Sequence, residues 1–199
     1  MLLSPPLDCS CSCIFEQAYA VFETELKVKD TRPRLLDRFV FINFDDEFQG
    51  KPRSFWHIAS IGDDDSKYEK IPCAGDPAES FCTYQCDPDH KENFLQTVNR
   101  IPCCFRACRI RWIGEIIRLA NENPPTPLLR VWKQKNQRTG ENNLLIRLME
   151  NAVDYVVVFR AIYKYSDIYM YQLMTAYPVV LPEFKRRFDK EYENYCRKK

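Results

Sequence analysis

The segment DYVVVFRAIYKYSDIYMYQLMTAYPVV, positions 154–180, constrains the fold of this chain more than any other stretch. It is rich in the β-branched and aromatic residues that favour sheets, and KYSD interrupts it where a turn is expected. It therefore predicts two strands, at about 154–164 and 168–177, joined as a hairpin. LLRVWKQ predicts a further strand, and ENNLLIRLMEN is compatible with a short helix or an irregular strand.

The rest of the chain adds helices and a second predicted hairpin. Helical spacing of apolar residues appears at 14–30, at 105–123 and in the charged C-terminal segment LPEFKRRFDKEYENYCRK. RFVFINF, positions 38–44, predicts a strand buried on both faces, and FWHIASI predicts the strand that returns beside it. The predicted class is α+β, a small antiparallel sheet flanked by helices. We expect a tail and helix at 1–30, then a single domain at 31–199 with a cysteine-rich insert at about 73–108.

Charge and hydropathy limit the environment and the partners. The 199 residues carry a net charge of +1, so binding to a nucleic acid would require a local basic patch. No apolar run approaches the roughly 18 residues of a membrane span, and the N-terminus lacks the pattern of a secretory signal. We therefore expect a cytoplasmic protein without a membrane partner.

The ten cysteines allow two interpretations. Without a secretory signal, metal binding or buried thiols are more plausible than a disulfide scaffold. Cys82, Cys86 and His90, with Cys73, form one candidate set of ligands for a structural zinc ion. Asp87-Pro88 interrupts the helical face that this spacing requires, so buried thiols are the default interpretation.

Familiar catalytic motifs are missing, but a polar set suited to phosphate chemistry is present. The chain has five glycines and neither a Gly-rich phosphate loop nor a nucleophile elbow. His57, one of two histidines, is the side chain best suited to acid–base work near neutral pH. The other members are arginines on a predicted helix and hydroxyl residues predicted to project from one face of a strand: Arg106, Arg109, Arg111, Tyr171, Thr175 and Tyr177.

This set matches the requirements of RNA cleavage without a metal. A base removes the 2′-OH proton, the oxygen attacks phosphorus, and cations stabilise the charge that develops. Each member also has a structural interpretation. A histidine in an apolar run is usually a core residue, arginines between apolar residues are usually the solvated rim of a helix, and strand tyrosines usually pack.

The order of several motifs resembles a known group of nucleases. FRACRIRWIGEII, then VWKQ, then the 154–180 segment, with SFWHIASIG upstream, resembles phage-associated families of the barnase–EndoU–colicin–RelE (BECR) group. The resemblance covers about 55–180 and rests on the order of the motifs. Cysteines in PCCFRAC stand where that group would have polar or acidic residues.

The resemblance implies a toxin- or effector-like endoribonuclease from a bacterial mobile element. It would act on tRNA or other cellular RNA, need no cofactor for catalysis, and be held in check by an inhibitor or immunity protein. By the same resemblance, His57 would be the acid or base, Arg106 and Arg109 would bind phosphate, and Thr175 and Tyr177 would contact the scissile phosphate. Arg111 and Tyr171 would add substrate contacts.

Two other functions remain open at this stage. The first is a non-catalytic module that binds RNA or protein on the same fold, because a fold does not dictate a function. The second is an interaction protein held together by zinc, in which 73–108 is the functional part.

Overall fold

The computed structural model describes residues 11–62, 100–122, 124–135, 139–150 and 153–198. The predicted zinc ligands Cys73, Cys82, Cys86 and His90 lie outside these residues. The chain divides into two compact units. The described residues of the first unit lie within 11–31, 43–62 and 100–112, and those of the second within 32–42 and 113–198.

The described part of the chain contains helices and strands in an α+β arrangement, as predicted. The helices are α1 (Cys11–Phe22, followed by a π-helical turn, Glu23–Lys27), α2 (Arg53–Ala59), α3 (Cys104–Ala107), α4 (Trp112–Glu122) and α5 (Pro182–Arg197). The strands are β1 (Phe39–Phe41), β2 (Glu47–Phe48), β3 (Lys51–Pro52), β4 (Ser60–Gly62), β5 (Arg100–Pro102), β6 (Leu129–Lys135), β7 (Asn142–Glu150), β8 (Val153–Lys164) and β9 (Asp167–Pro178).

The second unit is built on a five-stranded sheet in the order β1-β9-β8-β7-β6. Strands β6 to β9 run antiparallel in sequence order, which confirms the predicted hairpin. Strand β7 covers Asn142–Glu150, which is most of the segment ENNLLIRLMEN, so the strand alternative is correct. The predicted pairing of RFVFINF with FWHIASI is wrong, because β1 instead pairs in parallel with β9 at the edge of the sheet.

Strand β1 is also less buried than its sequence suggests. Val40 and Ile42 are buried, whereas Phe39 is 56% and Phe41 40% exposed. The prediction of burial on both faces is therefore wrong for this edge strand.

Helix α5 packs on one face of the sheet. It begins with a proline in its first turn, where the missing N–H costs nothing. Phe188 of α5 joins Trp132, Leu145, Val156 and Val179 in a buried cluster, and the Trp132 and Phe188 rings lie 5.8 Å apart. The opposite side of α5 is charged and faces solvent, as its amphipathic sequence predicts.

A buried ion network reinforces this packing. Arg147 of β7 is 2% exposed, and its guanidinium donates two 2.8 Å hydrogen bonds to the carboxylate of Asp154. It also donates to Asp189 of α5 at 3.0 Å, and Arg130 of β6 reaches the same Asp189 oxygen at 2.6 Å. The network thus joins the sheet to the helix through the buried Arg147 and the partly exposed Asp189.

The turn between β8 and β9 holds a residue in an unusual conformation. Tyr165 has a φ of 58° and is 95% exposed. Residues with a Cβ pay roughly 1–2 kcal/mol in the left-handed region, whereas glycine does not. We expect Tyr165→Gly to raise the free energy of unfolding by about 1 kcal/mol in urea denaturation. Ser166→Gly is the matched control, because the φ of Ser166 is not positive, and equal effects of both changes would contradict the account.

The first unit packs α1 against α2 through aromatic rings. Phe22 contacts Phe55 at 5.5 Å between ring centroids, and Phe55 contacts Trp56 at 5.0 Å. Both residues of α2 are buried. The segment predicted as the strand FWHIASI is therefore mostly helix, and only its last residues enter the short strand β4.

The second predicted helix, at 105–123, is broken in two. Helix α3 ends at Ala107, and the backbone amides of Arg109, Ile110 and Trp112 then bond to carbonyls three residues back. These tighter turns separate α3 from α4. The apolar residues predicted on one face, from Ile110 to Ala120, are nevertheless buried.

Candidate functional site

His57 lies near the C-terminal end of α2, with its side chain exposed. Its position on a helix corrects the strand predicted from the sequence. Two short elements meet this end of the helix. Strand β5 pairs with β4 so that Arg100 stands opposite Gly62, and the amide of Cys103 donates to the carbonyl of Ala59 at 2.9 Å.

Two guanidinium groups converge on Ser60, three residues after His57. Arg106 of α3 donates to the Ser60 carbonyl at 2.7 Å. Arg100 donates to the same carbonyl at 2.9 Å, to the Ser60 hydroxyl at 2.7 Å, and to the carbonyl of His57 itself at 2.9 Å. Cations are favoured at this end of a helix, where carbonyl groups lack partners in the helix. We name His57, Ser60, Arg100 and Arg106 the His57 cluster.

The cluster changes the acid–base behaviour of His57. The protein around the imidazole makes its charged form costly, and this desolvation is the largest cause of a lowered pKa. The positive charges of Arg100 and Arg106 act in the same direction, and together the three causes lower the pKa of His57 to about 4. The side chain keeps a surface open to solvent, so the desolvation is partial. At neutral pH the imidazole is consequently uncharged, and it holds a proton less strongly than an ordinary histidine does.

Arg109 does not join this cluster. It is 6% exposed, lies 3.4 Å from the centre of the Phe105 ring, and donates to the Phe105 carbonyl at 2.8 Å. Trp112 approaches it at 4.9 Å. The two arginines predicted to bind phosphate are therefore not brought together, because Arg106 reaches Ser60 whereas Arg109 packs on rings. The location of Arg109 suits packing between rings rather than contact with a phosphate.

Arg111 has a carboxylate partner in the same unit. Its Nε lies 2.8 Å from an oxygen of Glu25, in the π-helical turn after α1. The ion pair joins the segment before α4 to the N-terminal helix. The ion pair with Glu25 is a structural role for Arg111, in addition to the substrate contact predicted from the sequence.

The three predicted hydroxyl residues lie on β9, in the second unit, and do not share one face. The register shifts between Val158 and Phe159, which pair with Thr175 and Leu173, so Met174 is an extra residue in β9. The bulge reverses the alternation of faces. Tyr171 therefore lies on the face opposite Thr175 and Tyr177, which corrects the prediction that all three project together.

The surroundings of these residues favour packing. Tyr171 is buried and its ring lies 6.3 Å from that of Phe159. Burial raises the pKa of the Tyr171 hydroxyl. Tyr177 packs against the cluster beneath α5, and Thr175 is half-buried opposite Val158.

Arg100 is the member of the cluster that sequence reasoning missed. It lies 40 positions from Ser60, and no helical or strand periodicity connects the two segments. Only the pairing of β5 with β4 brings Arg100 to the end of α2. The nearest signal in the sequence is an arginine directly before the strand-like IPCC.

Metal ligands and cysteines give little further chemistry. In the part of the chain that the structure describes, no group of three or more His, Cys, Asp or Glu residues could hold a metal ion. Cys103 and Cys104 are buried, Cys108 is half-buried, and Cys196 is exposed, whereas Cys13 is disulfide-bonded. Among the described helices, none is long and apolar enough to cross a membrane.

Comparisons with known proteins do not assign a family. No model of a protein family matches the chain. No curated protein and no solved structure matches it either.

Proposed function

We propose that the protein is a metal-independent endoribonuclease whose catalytic base is His57. The observation that carries the proposal is the convergence of the Arg100 and Arg106 guanidinium groups on Ser60, at the end of the helix that carries the solvent-exposed residue His57. The resemblance of the motif order to BECR nucleases agrees with this assignment but was found in the sequence alone. The RNA substrate, a toxin-like role and an inhibitor protein belong to the same proposal.

In the proposed reaction His57 takes the proton of a 2′-OH group. The oxygen attacks the adjacent phosphorus, the bond from phosphorus to the 5′-oxygen breaks, and the leaving oxygen takes a proton from water while His57 returns its own to the solvent. The products are a 2′,3′-cyclic phosphate and a 5′-hydroxyl end. Arg100 and Arg106 supply positive charge where negative charge develops on the phosphorane oxygens. A bound phosphate would also oppose the effect of the arginines on His57 and raise its pKa.

The proposal predicts a particular pH dependence of cleavage. For a base in the free enzyme, kcat/KM rises with pH through the pKa and is constant above it. We expect the rise at about pH 4, well below the 6.5 of an ordinary histidine. Arg106→Gln removes one cation, so it should move both the rise and the NMR titration of the His57 ring to higher pH. A wild-type titration near pH 6.5, unchanged in the variant, would contradict the electrostatic account.

The second candidate function is a module that binds RNA without cleaving it, and one feature of the His57 cluster favours it. Among the described residues, the charges that act on His57 are both arginines, and no carboxylate is among them. Cleavage also needs an acid for the leaving oxygen, whereas a module that only binds RNA does not. RNA binding that depends on Arg100 and Arg106, without any product, would favour this function.

The structural zinc ion stays a prediction from the sequence, because its ligands lie outside the described residues. Metal analysis of protein purified without chelator tests it. Stoichiometric zinc that is lost in a Cys82→Ser, Cys86→Ser variant would support the site.

A further inference from the structure

Exposed aromatic residues gather at one end of the five-stranded sheet. Among the described residues eight large apolar side chains are exposed, and six of them lie at this end: Leu36, Phe39, Phe41, Tyr163, Tyr165 and Tyr169. We name these six residues the aromatic end. They belong to the second unit, whereas His57 belongs to the first.

The strand pairing explains why these residues lie together. Phe39 and Phe41 stand beside Met170 and Gln172 of β9. The β8–β9 turn, with Tyr165, lies only a few residues farther along the same hairpin. At about 3.3 Å per residue, the aromatic end extends over roughly 20 Å along the strand direction.

Helix α5 leaves this part of the sheet uncovered. Val156 and Val158 of β8 lie on the same face as Ile162 by strand alternation, and both pack in or against the cluster beneath α5. Ile162 pairs with Met170, which pairs with Phe39, so Phe39 and Phe41 continue that face to the edge of the sheet. The face that carries Phe39 and Phe41 is thus covered by α5 at one end and not at the other, whereas Tyr163, next to Ile162 in β8, projects from the opposite face.

Cationic groups stand directly against the exposed rings. The guanidinium carbon of Arg34 lies 4.2 Å from the centre of the Phe39 ring. The ammonium group of Lys164 lies 6.0 Å from the Tyr165 ring and 5.7 Å from the Tyr169 ring. At the aromatic end, three exposed rings therefore lie within cation–π distance of a positive charge.

We infer that the aromatic end binds single-stranded nucleic acid. Unpaired bases stack on exposed aromatic rings, and arginine and lysine beside those rings contact the phosphates that follow each base. A phosphate backbone supplies a counter-charge for Arg34 and Lys164 that a purely apolar protein partner would not, and Asp167 stands opposite Lys164 across the hairpin. The inference does not depend on cleavage at His57, since the groups that would bind are all in the second unit.

The backbone at Tyr165 agrees with a binding role. A tyrosine with positive φ and 95% exposure makes little use of its ring for folding. Strained positions of this kind are found preferentially at functional sites. The positive φ thus occurs at a residue whose ring is accessible to a partner.

Fluorescence anisotropy tests the inference on the full-length His57→Ala chain, which removes the proposed base so that the probe is preserved. The probe is a labelled single strand of about 12 nucleotides, prepared as RNA and as DNA, in EDTA. We expect Phe39→Ala and Tyr165→Gly each to weaken binding by about 5- to 100-fold. Lys164→Gln should weaken binding and reduce its dependence on salt. Leu128→Ala is the matched control, because Leu128 is also exposed but lies outside the aromatic end, and it should have no effect.

Several outcomes would overturn the inference. These are no binding of either strand, or binding that Phe39→Ala and Tyr165→Gly leave unchanged. Sedimentation velocity adds another, since self-association that these variants abolish would mean that a second copy of the chain covers the aromatic end. If binding depends on the aromatic end but the wild-type protein does not cleave RNA, only the proposed ribonuclease activity is refuted. Cleavage without such binding would refute only this inference.

Discussion

Replacing Arg147 by alanine should lower the free energy of unfolding by about 3–5 kcal/mol, because it leaves a partly buried carboxylate without its cation. Arg147 is 2% exposed, and the Asp154 carboxylate that receives both of its shortest bonds has a side chain only 15% exposed. The substitution also removes the bond to Asp189 and with it part of the attachment of α5 to the sheet. Urea denaturation followed by circular dichroism measures the change.

A matched arginine separates burial from charge. Arg187 of α5 also pairs with a carboxylate, Glu191, but at 3.8 Å and with half of its side chain exposed. Exposed pairs of this kind are worth at most about 1 kcal/mol, and the guanidinium also lies 4.6 Å from the Phe184 ring, so Arg187→Ala should cost much less than Arg147→Ala. Equal losses in Arg147→Ala and Arg187→Ala would show that the buried network does not hold the second unit together.

Replacing His57 by alanine should reduce RNA cleavage by about 100- to 10,000-fold, which is the usual contribution of a positioned acid or base. The side chain is exposed, so the variant should fold with little change in stability. The remaining rate would come from binding and from the charges of Arg100 and Arg106. Single-turnover cleavage of a defined RNA measures the loss in the chemical step.

The neighbouring Arg53 provides the control for this substitution. It lies on the same short helix, and its guanidinium forms an exposed ion pair with Asp46 at 2.9 Å. Arg53→Ala should therefore retain wild-type cleavage. A similar loss in both variants would point to damage to α2 rather than to removal of a base.

Regular elements with long, strongly patterned sequences could be predicted. The β8–β9 hairpin and helix α5 lie close to their expected positions, because alternation or helical spacing persists over 12 residues in each strand and 16 in the helix. Burial of Ile113, Ile116 and Ile117 was likewise evident from their spacing.

Short segments were harder to predict. In α2, Phe55, Trp56, Ile58 and Ala59 are buried, and such a brief apolar run fits a strand or a helix equally well. Contacts distant in the sequence decided the outcome, here the packing of Phe55 on Phe22 of α1. The parallel pairing of β1 with β9 has no local signal at all.

The candidate site could be predicted only in part. His57 and Arg106 were identified by residue type, but Arg100 reaches them through a strand pairing that no local pattern encodes. Arg106 reaches the Ser60 carbonyl and Arg109 packs on Phe105, and helical spacing alone does not distinguish these two environments. The opposite orientation of Tyr171 depends on one extra residue in β9, and a bulge of this kind is invisible to strict alternation.

Analysis of the RNA ends produced in EDTA tests the central claim most directly. Purified full-length protein and its His57→Ala variant are incubated with total RNA, and the termini of the products are determined. The account predicts 2′,3′-cyclic phosphate and 5′-hydroxyl ends from the wild type and their near-complete loss in the variant. Undegraded RNA with folded wild-type protein, or equal cleavage by the variant, would contradict the assignment of His57 as the base of a ribonuclease.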